Sequence, residues 1–302
     1  MYSEYRLSVK LDSARKIKKL RTTYRVKVVT STNLEKGFGE YAEKFYQAAN
    51  KIASSLLESK NTSVPELDTF VFPTAFLYRH SIELLLKGIA FQTITNKTAR
   101  VNFAKDTFHN LELILNKIIM LQNNGNRTKA EIDWLQSHFK DISIMDKESD
   151  SFRYPFHIKR KSNPISGAQY DIERVFENQT HIDLVKFANK FEAAYEILRL
   201  WYEKKSTSTK NWKELEPVFI EKGGSYYGQA VVGYGYKRQD YFPYVSAYVE
   251  TAGYFRHCMK EAQDNGDTLV KDALFLPMCY LYRNAVELFI KAVWFEVTRE
   301  DF

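Results

Sequence analysis

The chain has 302 residues, 44% of them hydrophobic and 15% aromatic, with a net charge of +7. That apolar content supports a packed core and excludes a disordered polymer, while the basic balance favours an anionic partner such as nucleic acid. Only Cys258 and Cys279 are present, which excludes a disulfide framework and a cysteine-based zinc site; with no stretch read as a membrane span or signal peptide, the expectation is a cytoplasmic protein with no membrane partner.

Residues 1–30 hold much of the basic excess, with RKIKKLR reading as an exposed arm and Tyr24–Thr30 as a short strand. A helical domain is expected over 31–204. Its first helix is Gly37–Ser59, where Phe38, Tyr41, Phe45, Ala48, Ala49, Ile52 and Leu56 recur at the α-helical interval. Asn61–Leu67 reads as a loop, with Asp68 or Thr69 capping a central helix over 70–93, and Pro73 is expected in that helix's first turn. Asn96–Phe108 reads as a polar connection, followed by helices at 109–122 and 130–144. The stretch from Asp150 to about Tyr170 reads as a loop or β-hairpin, and Thr180–Lys204 as the closing helix. Residues 205–236 are expected to be a linker and a β-hairpin, with GGS as its turn. Tyr226, Tyr227, Tyr234 and Tyr236 there either pack across strands or stack bases.

The chain then repeats itself. FVFPTAFLYRHSIELLLKGIAFQT at 70–93 returns as LFLPMCYLYRNAVELFIKAVWFEV at 274–297, an ungapped offset of 204 residues. It carries Pro73 onto Pro277, Tyr78 onto Tyr282, Arg79 onto Arg283, Glu83 onto Glu287 and Lys87 onto Lys291. Residues 237–302 therefore read as a partial second unit. Arg79, Glu83 and Lys87 stand four apart on one helical face, and Arg283, Glu287 and Lys291 repeat them. Two readings are open: an intrahelical ion-pair ladder, or charges kept in a buried helix to meet a cleft or partner.

No GxxxxGK[ST] loop, strand-borne GxGxxG, HExxH or GxSxG is present, so nucleotide hydrolysis, zinc proteolysis and hydrolase-elbow chemistry have no support. The six histidines show no metal-ligand spacing, and no cofactor is expected.

YRHSIELLLKG, then HNLELIL, then DSFRYP, followed by one long helix, resemble the HEPN superfamily over about residues 38–204, with a partial copy from about 240. The resemblance implies a mainly α, antiparallel helical bundle, here repeated and carrying a small β-hairpin element. It further implies pairing of such domains and, in many members, metal-independent endoribonuclease activity in toxin–antitoxin, abortive-infection or CRISPR-associated defence. Other members only bind a partner protein or nucleic acid. The family's active branch carries an Arg-x4–6-His motif, which Arg174 and His181 fit with six residues between them, although Val175 stands where a polar residue is usual. Arginine can neutralise a scissile phosphate and histidine can move a 2′-hydroxyl proton. The face of Arg79, Glu83 and Lys87 and its counterpart Arg283, Glu287 and Lys291 are the expected nucleic-acid or partner contacts, with His109, Asn110 and Arg153. For His109 and Asn110 helix capping is the competing reading; Arg153 reads as a phosphate contact or as a structural arginine bound to Glu83 or a helix end.

Overall fold

The computed structural model describes residues 33–58, 64–121, 127–154, 156–163, 167–176, 178–205, 211–233 and 241–298, together with Val26 and Ser31. The rest of the basic arm, Tyr234 and Tyr236, and the linker before Asn211 lie outside the described residues. The protein is mainly helical. Its elements are α1 (Leu34–Glu58), α2 (Val64–Thr93), α3 (Lys97–Thr107), α4 (Leu111–Leu121), α5 (Lys129–Asp146), β1 (Phe156–Asn163), β2 (Gly167–Arg174), β3 (Thr180–Asp183), α6 (Leu184–Tyr202), β4 (Gln229–Val232), α7 (Phe242–Asp264) and α8 (Thr268–Thr298).

Local chemistry explains most of the boundaries. Asn96 caps α3 by accepting from the Ala99 amide, so the expected polar connection is a helix after all. Thr128 and Glu131 close a reciprocal capping box at the start of α5. Asp183 accepts from the Lys186 amide and starts α6, leaving Thr180–Asp183 as a strand ahead of it. α2 begins at Val64, six residues earlier than its repeat suggested. Pro73 therefore lies inside the helix, and Asp68 caps nothing: its carboxylate accepts from the Val231 amide at 2.6 Å.

α2 is the central rod. Val71, Phe72, Leu77, Tyr78, Ile82, Leu85, Leu86 and Ile89 are all buried, against α1, α4, α6, α7 and β4. Around it close the rings of Phe139, Phe152, Phe187, Phe191, Tyr195 and Phe219. β1 and β2 form an antiparallel ladder from Phe156 opposite Arg174 to Asn163 opposite Gly167, the hairpin expected beyond Asp150. The hairpin expected inside 217–236 does not form among the described residues. Instead β4 pairs antiparallel with β3, Thr180 opposite Val232 and Asp183 opposite Gln229, because its apolar Ala230 and Val232 are buried in the first unit. Tyr226 and Tyr227 sit in a short turn, both exposed, edge to face with one another and across no strand.

α7 and α8 make a second helical hairpin, turned by Gly266 at φ +75°. Shifted by 204, α2's span of 64–93 becomes 268–297, and α8 runs 268–298. One expectation needs correction: Thr268–Trp294 is long and apolar enough to cross a membrane, by length and composition alone. A soluble core helix has the same composition, and here Leu281, Ala285, Leu288 and Ala292 are buried in the protein.

Candidate functional site

Arg79 and Glu83 are 1% and 2% exposed, on the face of α2 turned toward the end of α5. A charge so placed must be paired and hydrogen-bonded to persist. Arg79 Nη1 donates to Glu83 Oε2 at 2.9 Å, and Nε stands 2.6 Å from Asp146 Oδ2. Nη2 donates to the carbonyl oxygens of His109 at 2.5 Å and Asp146 at 3.2 Å. Lys87 Nζ meets Glu83 Oε1 at 2.6 Å. Burial pushes the Glu83 carboxyl up, but the His109 hydrogen bond and the charges of Arg79 and Lys87 outweigh it and hold Glu83 well below the usual carboxylate range. The intrahelical ladder is thus present, and Asp146 joins it inside the fold as a partner that spacing alone does not reveal.

One histidine edges this cluster. His109 Nδ1 lies 2.9 Å from Glu83 Oε1, and about half of its side chain is exposed. An ionised carboxylate only accepts, so Nδ1 carries the proton and the neutral ring keeps Nε2 as the basic nitrogen. Asn110 is buried and caps α4, accepting from the Leu113 amide at 2.9 Å. The capping reading therefore holds for Asn110, and for His109 the carboxylate contact replaces it. Phe108, just before them, has φ +43° and is 62% exposed. A left-handed backbone at a bulky aromatic is uncommon and costs roughly 1–3 kcal/mol.

The remaining predicted residues scatter. Arg174 ends β2, its side chain outside the described residues. His181 sits in β3 with Gln179 Nε2 at 3.0 Å from Nε2 and Gln229 Nε2 at 2.6 Å from Nδ1. Both ring nitrogens are engaged, so one of those amides presents its oxygen. Arg153 donates from Nε to the Ser149 carbonyl at 2.6 Å, beyond the end of α5, and lies over the Tyr154 ring. Its partner is thus a carbonyl in its own preceding turn, not Glu83. In the second unit Arg283 is exposed, whereas Glu287 accepts from the Tyr154 hydroxyl at 2.6 Å and pairs with Lys291 at 3.4 Å.

Among the described residues no three or more His, Cys, Asp or Glu side chains gather to hold a metal. A cavity of about 290 Å³ lies between the start of α5 and α6, lined by Glu131, Glu192, Glu196, Glu214, Trp212 and Leu200. Its carboxylates repel phosphate. The fifteen residues from Glu131 to Asp146 put it roughly 22 Å along α5 from the Arg79 cluster. Sequence reasoning missed Asp146 and Phe108; an acid in the last turn of a helix and an aromatic just before His109 were the signals available. Compared with protein families, curated proteins and solved structures, this chain matches none of them.

Proposed function

We propose that the protein is a HEPN-like, RNA-directed module, of the defence or toxin type the sequence resembles, whose reactive corner is Phe108–His109 beside Lys87. The observation that carries it is His109, with Nδ1 on the buried Glu83 carboxylate and the rest of its ring half open to solvent. A histidine so oriented presents Nε2 to accept a proton, and the exposed Phe108 ring offers a face for an unstacked base. In the reaction His109 Nε2 accepts the ribose 2′-hydroxyl proton and the 2′-oxygen attacks phosphorus. The bond to the 5′-oxygen breaks, and that oxygen takes a proton from solvent. The products are a 2′,3′-cyclic phosphate and a 5′-hydroxyl, with no metal required.

The test is incubation of the purified protein with total RNA in excess chelator. Cleavage lost in His109→Ala and weakened in Phe108→Ala supports this centre; cleavage lost only in Arg174→Ala and His181→Ala moves it to the β2–β3 region. A second reading, a non-catalytic binding module, is favoured by Lys87 already being committed to Glu83 at 2.6 Å. It predicts no cleavage but a gel shift that fades steeply with salt. Neither cleavage nor shift at low salt would overturn the RNA-directed reading altogether.

A further inference from the structure

The residues lining the cavity between α5 and α6 include four carboxylates and no cation. They stand on three walls: Glu131 on α5, Glu192 and Glu196 on α6, and Glu214 at the end of the short turn Asn211–Glu214. Only Glu196 meets a cation among the described residues, Arg199 at 2.8 Å. Glu131 is the buried member, 1% exposed. Its Oε2 accepts from the Thr128 amide at 3.1 Å, and its Oε1, on the cavity wall, has no partner among the described residues. That leaves a buried, charged acceptor in need of a donor. Between the acids the lining is apolar, with Ile197, Leu200 and Leu215 beside Trp212. Trp212 is itself buried and fixed edge to face against Trp134 at 6.2 Å, and an indole face attracts cations.

The spacing of the acids selects the shape of the cation. Among the described residues no three of them gather closely enough to hold a metal ion, so the charge that answers them is spread along a ligand. Glu192 and Glu196 are one helical turn apart, about 5.4 Å along the axis. A bridge of three or four carbons between two ammonium groups covers that rise and lays its methylenes on the apolar lining. The volume, about 290 Å³, lies near the lower end of small-ligand sites, roughly 300 Å³. We propose that this cavity binds a linear aliphatic polyamine, with one ammonium on Glu131 Oε1, others on Glu192 and Glu214, and the chain against Trp212. Because Trp212, Glu214 and Leu215 follow the linker, such a ligand fastens that stretch to α5 and α6.

Isothermal titration calorimetry of the full chain with spermidine, at constant ionic strength and without RNA, tests this. The expected result is saturable one-to-one binding, weaker for putrescine and weaker again for butylamine, with a melting temperature that rises with spermidine. Glu131→Gln removes the charge and keeps the cap, since glutamine also serves at that position, and should weaken binding about tenfold. Glu192→Gln and Glu214→Gln, both at exposed positions, should each weaken it about threefold without changing the melting temperature of the free protein. Glu148→Gln, exposed beyond the far end of α5, should leave it unaltered. Should Glu131→Gln fail to fold, the variant carrying both Glu192→Gln and Glu214→Gln decides, with a loss of about tenfold expected. Absence of saturable binding overturns the site. So does binding that magnesium matches at equal charge, or that Glu148→Gln weakens as much as Glu192→Gln does, since the acids would then act only as diffuse surface charge.

Discussion

α2 and α8 carry the same arginine, glutamate and lysine at the same spacing, on helices of nearly the same span, yet Arg79 is 1% exposed and Arg283 faces water. The difference lies in what surrounds each helix. The first unit supplies α4, with the His109 carbonyl just ahead of it, and the end of α5, with Asp146, and together they close over Arg79. Among the described residues, the Tyr154 side chain reaches across from the first unit to Glu287 and Lys291. A repeated motif therefore fixes a helix and its polar edge, and leaves burial to its neighbours.

The largest effect should come from breaking that contrast at the arginines. Arg79→Ala leaves Asp146 buried without its cation and Glu83 with Lys87 in place of two cations, and removing one member of such a cluster costs about 3–5 kcal/mol. Arg283→Ala, at a surface position, should stay within about 0.5 kcal/mol. Urea unfolding of the two variants measures both, and equal losses would mean that the two arginines share an environment.

The apolar counterparts sharpen the comparison. Ile82→Ala opens a cavity in a packed core and should cost about 2–5 kcal/mol. Val286→Ala should cost less than about 0.5 kcal/mol, since that side chain is 58% exposed. A large loss for Val286→Ala would show that its face is covered.

Acid separates the units next. His138 is 0% exposed among Trp134, Phe139, Phe191 and Phe219, and burial holds its imidazole down to about 4 from 6.5. The folded state binds that proton more weakly than the unfolded chain. The stability it contributes is whole above pH 6.5, fades as pH falls toward 4, and amounts to about 3 kcal/mol. Glu83, held below the carboxylate range, acts in the same direction lower down: its contribution is complete above the unfolded value of about 4.3 and is lost as pH falls further. In pH-dependent melting, His138→Phe should flatten the upper part of the acid limb and Glu83→Gln the lower part.

The hydrophobic period made α1, α2, α4 and α5 readable, because each buries one stripe or all sides of a helix. α3 was not readable: its buried residues are only Phe103 and Thr107, and it is fixed by the Asn96 cap in place of an apolar face. The alternation around β4 announced a strand but not its partner, since β3 lies about 50 residues earlier and no local turn joins the two. At the candidate site, spacing delivered Arg79, Glu83 and Lys87 and the words around His109. Asp146 escaped because it arrives from 67 residues away, through tertiary packing alone.

The smallest effect tests a polar bridge between the units. The Tyr154 hydroxyl donates to Glu287 Oε1 at 2.6 Å, and Lys291 Nζ lies 3.6 Å from the centre of the same ring. Burial pushes the Tyr154 hydroxyl up, and the contact with Glu287 adds to that, so it stays a donor across the working pH range. Tyr154→Phe should cost about 1 kcal/mol and Glu287→Gln less, since the glutamine oxygen still accepts from the hydroxyl; a double-mutant cycle should return a coupling no larger than the Glu287→Gln loss. Additive losses would mean that Tyr154 supports the second hairpin through its ring and the lysine above it. The bridge would then be the cation on the aromatic face, and Lys291→Met would show the coupling that Glu287→Gln did not.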